Sequence, residues 1–152
     1  MEAFLLTWNP ARYEWKELRA LVNETKAGRV VDGRWSCGRT TSIRSGSRLF
    51  WLRQGVEPRG IFGSGWATSD WYPDTHWSGT GTIHFVDVGW DVLLEPGIDE
   101  IIPRSLLALG SFAHVHWNTQ QSGIRISRAV AIELEGLWER THGRPVTVLE
   151  RE

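Results

Sequence analysis

One cysteine in 152 residues, Cys37, excludes an internal disulfide and a Cys-rich zinc site. That usage fits a reducing cytosol, so a cytoplasmic protein is the expectation. No apolar run approaches the roughly 20 residues of a membrane span, and no membrane partner is expected. The opening MEAFLLTWNP has only a short apolar stretch with no basic segment before it, so it does not read as a secretory signal. Net charge is only −1, so a generally basic nucleic-acid binder is not indicated. Repeats, low-complexity tracts and linkers are missing too. With 41% hydrophobic and 23% charged residues, the chain reads as one domain, residues 1–152, with its own core.

What is abundant is tryptophan, ten of them. Burying an indole requires a partner for its N–H. Ten exceeds what a core of this size needs, so a few are expected to line a site that grips a flat or apolar ligand. Charge is also unevenly placed. Residues 1–76 carry eleven Lys/Arg against eight Asp/Glu, and residues 77–152 carry six against ten. Between Arg34 and Arg59 stand six arginines (34, 39, 44, 48, 53, 59) and one acid, Glu57. Such a stretch is either a phosphate-contacting surface or a solvated face with acids beside it in space.

The hydrophobic pattern predicts a buried strand over 3–8, ended by Asn9-Pro10. A helix follows in EWKELRALVNETKAG, with Trp15, Leu18 and Val22 at helical spacing and Gly28 as its stop. GRVVDGRWSCGRT reads as a loop or short strands. A strand is predicted at 48–53, a Gly-rich strand at 59–69 and a polar, aromatic loop at 70–82. The longest strand covers 82–94. IIPRSLLAL reads as a short helix with Pro103 in its first turn. FAHVHWNTQQSGIRI reads as a strand and then a loop, and Ser127 is placed to cap a last helix over 128–140. The tail reads as a frayed strand. Strands in the middle with two or three helices imply an α+β domain on a curved sheet or small barrel.

Several segments invite a chemical reading. Cys37 as a nucleophile needs a base and an orienting group; five histidines exist, but no such signature surrounds it, and a partly buried structural cysteine is favoured. His114 and His116, two apart on a strand, would share one face, yet no third ligand is evident, so no metal site or cofactor is expected. Asp87 and Asp91 lie on one strand without marking a catalytic pair. GIFGSG lacks the Lys-Ser/Thr ending of a phosphate loop and leads into no helix. In DWYPDTHW, Trp71, Tyr72 and Trp77 sit among polar residues. They could stack on a base or sugar, a contact worth ~1–3 kcal/mol per base, or anchor the loop to the body.

Taken in order, FLLTWNP, a helix, RWSCGRT, SGSRLFWLRQGVEPRGIFGSGWATSD, VDVGWDVLL, NTQQSGIRI and a final helix resemble an EVE domain of the PUA-like superfamily. The likeness runs over about residues 3–140 and is greatest to the EVE modules joined to HNH nucleases in bacterial modification-dependent restriction systems. It extends to the YTH readers of methylated adenine in RNA. The resemblance implies a mixed β pseudo-barrel flanked by helices, with a base pocket at one rim and no catalytic residue. By that likeness Trp35, followed by Ser36, is one wall of an aromatic cage. Trp77, or next Trp71, is the second wall. Thr7, Trp8 and Asn9 occupy the base-reading stretch after the first strand, and Asn118 and Gln120 fall in the late polar segment. Arg34, Arg39, Arg44, Arg48 and Arg59 become candidate phosphate contacts. The implied partner is double-stranded DNA carrying 5-methylcytosine or 5-hydroxymethylcytosine, with an HNH nuclease in cis or in trans supplying cleavage. An RNA reader of a modified base and a small-ligand-binding protein are the alternatives. No HNH segment follows in these 152 residues, so either a standalone reader or a fragment of a nuclease is expected.

Overall fold

The computed structural model describes residues 2–76, 78–119 and 121–144. Trp77, Gln120 and the tail expected to be a frayed strand lie outside the described residues. In chain order the elements are β1 (Ala3–Trp8), α1 (Leu18–Lys26), β2 (Val31–Gly38), β3 (Arg48–Arg53), β4 (Gly60–Ala67), β5 (Tyr72–Thr75), β6 (Thr82–Leu93), β7 (Ile102–Pro103), α2 (Arg104–Leu107), a 3-10 turn at Gly110–His114, β8 (Ile124–Ile126) and α3 (Arg128–His142).

The strands join in one mixed sheet, ordered β2-β6-β4-β3-β1-β8, with β5 also on β6 and β7 on β4. β1 runs parallel to β3 and every other pairing is antiparallel. Register shifts leave one extra residue unpaired in three strands: Cys37 in β2 opposite β6, Phe62 in β4 opposite β3, and Asp91 in β6 opposite β4. Each such bulge bends its strand and increases local twist, and the sheet curls into a half-barrel with three helices around it. β4 can sit so close to β6 because Gly65 has no side chain: a Cβ there would lie 2.4 Å from the Gly89 carbonyl.

Inside the curl the tryptophans meet one another. Trp15 packs on Trp8 (5.7 Å between ring centres), Trp35 (4.7 Å) and Trp90 (5.4 Å), and Trp90 packs on Trp51 (5.4 Å). Of the nine tryptophans among the described residues eight are buried, so indole goes chiefly to the core; two of the eight, Trp8 and Trp35, also line the cleft at the rim. Four of the eight satisfy their N–H: Trp8 on the Tyr13 carbonyl, Trp35 on Thr7, Trp117 on Phe112 and Trp138 on the Ser64 hydroxyl. Trp51, Trp66 and Trp90 find no acceptor among the described residues.

Helix α3 closes one side. The Ser127 hydroxyl accepts from the Val130 N–H and caps it, and Val130, Leu134 and Trp138 face inward. A buried polar chain fastens it to the sheet. The Trp138 indole donates to Ser64 Oγ at 2.8 Å, Ser64 Oγ donates to Asp91 Oδ1 at 2.6 Å, and Arg48 bonds both Asp91 (3.2 Å) and Glu135 (2.5 Å).

Four local expectations change. Ile124–Ile126, expected in a loop, form β8 against β1. Residues 31–38 form a full strand, because residues 31–36 and Gly38 pair along β6. Within the expected loop 70–82, Tyr72–Thr75 form a short strand on β6. The segment around His114 is a 3-10 turn rather than a strand, so His114 and His116 do not share a strand face.

Candidate base-binding cleft

A cleft of about 740 Å3 opens where the end of β1, the second half of β2, the tip of the β5–β6 hairpin and the segment before β8 come together. That volume is within the range of small-ligand sites, about 300–1,000 Å3. Its construction depends on two glycines. Gly38, in the β2 bulge, has φ +70 and would place a Cβ 2.7 Å from the Ser122 carbonyl; Gly123 has φ +86 and would place one 2.3 Å from the Cys37 carbonyl. With hydrogen as side chain, RWSCGRT and QSG touch backbone to backbone. Ser122 completes the seam by accepting the Thr7 N–H at 3.1 Å, while the Gly123 N–H donates to Leu5.

One wall is aromatic. Trp8, Tyr13, Trp35 and Phe85 line it. Trp35 is held firmly, its Nε1 donating to the Thr7 carbonyl at 3.0 Å and its ring edge-on to Tyr13 at 5.8 Å. With only 8% of its surface exposed, it offers an edge of the core to the cleft rather than a free-standing plate. Thr7, Asn9, Ser36, Thr40, Gln54, His76, Gln121 and Ser122 supply polar groups around it.

Arginines mark the mouth. Arg34 is engaged: it bonds Asp74 at 2.7 Å and lies 4.0 Å over the Phe85 ring. Arg12 and Arg39 are exposed, line the cleft, and meet no acid among the described residues. Arg12 was not singled out from sequence; it lies outside the Arg34–Arg59 stretch, and only the turn after β1 carries it to the rim.

The other sequence candidates sort by position. Thr7, Trp8, Asn9, Trp35, Ser36, Arg34 and Arg39 come together at the cleft. Trp71 stays outside, its ring stacked on His84 at 4.2 Å and its backbone N–H donating to the Ile43 carbonyl, so it anchors its loop to the body. Asn118 accepts from Arg104 in a separate small depression of about 230 Å3. Arg44 is occupied with the Thr41 and Ile43 carbonyls, and Arg59 with Glu57 at 2.7 Å; neither lines the cleft. Arg48 requires a correction. At 2% exposure and paired with Asp91 and Glu135 it is part of the interior, where no phosphate reaches it.

Cys37 is fully buried beneath the wall, and burial pushes its thiol up to about 11. A thiol held protonated at neutral pH is a packing group, not a nucleophile. Among the described residues no three His, Cys, Asp or Glu side chains converge as a metal site.

The curled mixed sheet, flanked by helices and open at one rim, agrees with the PUA-like fold expected from the sequence. No family model matches the chain, and no curated protein matches it either. Solved structures do. The chain is similar to protein PSPTO5229 from Pseudomonas syringae, with a TM-score of 0.64 and 15% identity, covering 89% of this chain and 98% of that one. It is similar to Rpa0253 from Rhodopseudomonas palustris, at 0.57 and 19%, over 90% and 94% of the two chains. Human THYN1, solved in complex with DNA containing 5-methylcytosine, aligns at 0.61 and 14%, over 90% of this chain and 97% of that one.

Proposed function

We propose that this domain reads a modified cytosine in double-stranded DNA, flipping the base out of the duplex and into the cleft. The observation that carries the reading is the cleft itself: an aromatic wall with polar edge groups inside and two uncommitted arginines, Arg12 and Arg39, at its mouth. A flipped base costs a few kcal/mol in lost stacking and pairing, which stacking and edge hydrogen bonds inside a pocket offset. Trp35 and Phe85 supply apolar surface to the ring. Ser36, whose hydroxyl meets no partner among the described residues, and Asn9 supply edge contacts. The arginines hold phosphates, which position the duplex without specifying sequence. Fold likeness to THYN1, solved with 5-methylcytosine DNA, supports this choice of ligand class. Trp77 remains the proposed second wall and Gln120 a proposed polar contact, His76 and Gln121 beside them lining the cleft. The resemblance to EVE modules supports a role as the recognition part of a modification-dependent restriction system, with an HNH nuclease cleaving in cis or in trans.

The test is affinity for matched duplexes bearing cytosine, 5-methylcytosine or 5-hydroxymethylcytosine at one site. One modified duplex is expected to bind at least tenfold more tightly than the unmodified one, and Ser36→Ala to weaken binding of that duplex several-fold, as loss of one edge hydrogen bond implies. Equal affinity for all three sinks the reading. Tighter binding of a matched modified RNA reassigns the domain to RNA, where the 2′-hydroxyl is contacted.

A further inference from the structure

A pocket that recognises 5-methylcytosine faces a difficulty of chemistry. Thymine carries the same methyl group at the same ring position, so a niche for the methyl cannot reject it. The two bases differ on the Watson–Crick edge: cytosine presents an amino donor beside a ring-nitrogen acceptor, thymine a carbonyl acceptor beside an N–H. The discriminating group must therefore be a hydrogen-bonding group of fixed polarity.

Gln54 is such a group. It follows β3, its backbone N–H donates to the Trp8 carbonyl at 2.8 Å, and it lines the cleft although only 3% exposed. Its Nε2 donates to two backbone carbonyls, Trp117 and Thr119, the latter at 3.0 Å. Two acceptors on one side fix which end of the amide is which, since turning it over would set Oε1 against both carbonyls. Both N–H donors are thereby spent, and no described residue donates to Oε1. Next to it, Gly55 (φ +78) leaves room for Asn9, whose side chain a Cβ there would meet at 2.5 Å. Asn9 has the opposite character: its Oδ1 accepts from the Ala11 N–H at 3.0 Å, leaving Nδ2 as a donor on the cleft.

We infer that Gln54 is the specificity determinant that selects an amino-bearing base over a carbonyl-bearing one, cytosine-type over thymine-type. The inference rests on the base-reader assignment above. Gln54 Oε1 accepts from the exocyclic amino group, and Asn9 Nδ2 donates to an acceptor on the same edge. Thymine in that position sets its carbonyl oxygen against Gln54 Oε1, and the protein's acceptor is left unpaired.

Beside the cytosine and 5-hydroxymethylcytosine duplexes of the preceding test, the experiment measures binding to three duplexes that differ at one base opposite guanine: 5-methylcytosine, thymine, and 5-methyl-2-pyrimidinone, which keeps the methyl and lacks the amino group. Thymine opposite guanine is a mismatch and flips more readily, so any preference against it understates the effect. Wild type is expected to bind the 5-methylcytosine duplex at least tenfold more tightly than either of the others. Gln54→Met, near in size and without the acceptor, is expected to shrink the ratio to 5-methyl-2-pyrimidinone below threefold, while the ratio to thymine keeps the share that the Asn9 donor supplies against the thymine N–H. If wild type prefers 5-methylcytosine to cytosine yet binds all three duplexes alike, the role of Gln54 is overturned while the reader assignment stands. Discrimination against 5-methyl-2-pyrimidinone that survives in Gln54→Met overturns it as well. Failure to prefer either 5-methylcytosine or 5-hydroxymethylcytosine to cytosine overturns the reader assignment itself. The 5-methyl-2-pyrimidinone comparison alters only the DNA, so it decides the matter even where the variant fails to fold.

Discussion

At the scale of single residues, position within a few ångströms separates chemistry from packing. Ser36 and Cys37 are neighbours on β2, whose side chains alternate in direction. Ser36 is half-buried on the cleft, and Cys37 points the other way into the core, fully covered. Its thiol, pushed up to about 11, stays protonated across the physiological range. Alkylation by iodoacetamide at pH 8 is therefore expected to be slower by about a hundredfold in the folded protein than in urea, from thiolate fraction alone. Rapid labelling of the native protein would show that Cys37 is accessible after all. Arg34, Arg39 and Arg48 are indistinguishable as letters. One is clamped on Asp74 and Phe85, one stands uncommitted at the rim, and one is sealed inside an ion-pair chain.

At the scale of elements, α3 is joined to the sheet by polar groups as well as by its apolar face. His142 ends that helix, with its ring edge-on to Trp138 at 5.2 Å. Burial first, then the charge of Arg144, pushes its imidazole down to about 4; Asp91 pulls the other way, and Arg48 adds a last, smaller downward push. Because the folded value is depressed, the unfolded chain takes up the proton first. Stability is therefore full above about 6.5 and is lost progressively as pH falls toward 4. Urea unfolding between pH 7 and 4 is expected to show this decline, and His142→Gln to flatten it; an unchanged profile in the variant would remove His142 as its source. The hairpin of β5 and β6 shows the same dependence on pairing. Nothing in the aromatic loop announces a strand, yet pairing with β6 makes Tyr72–Thr75 one, with Tyr72 bonded to Asp87 at 2.5 Å. Pairing is a tertiary fact that local propensity does not carry.

For the whole molecule, a net charge of −1 and only three arginines lining the cleft limit the electrostatic share of binding. Contact with two or three phosphates gives a slope of log K against log salt of about −2 to −3. Arg12→Ala and Arg39→Ala are each expected to lessen that slope by about 1 while leaving the ratio of modified to unmodified affinity intact. A slope near −8 would place the DNA on a different and more basic face. Arg34→Ala is the contrasting case, because Asp74 already neutralises that side chain.

By itself the sequence determined the elements whose residues are internally consistent: β1 and β3 to the residue, the long β6, the Ser127-capped α3, and the α+β class that follows from their order. Through the resemblance it also pointed to RWSCGRT and the stretch after β1 as candidate site segments, and the structure brings Trp35, Ser36 and Asn9 to one cleft. What only the tertiary structure decided are matters of company. Gln54 acquires its meaning from two carbonyls more than sixty residues away, at Trp117 and Thr119. Arg12 reaches the rim by a turn, and Arg48 is withdrawn from it by Asp91 and Glu135. The physical reason is the same in each case. Apolar periodicity is a local property that a chain carries in its letters, whereas the state of a polar group depends on its partner, and here the curled sheet alone brings the partners within hydrogen-bonding distance.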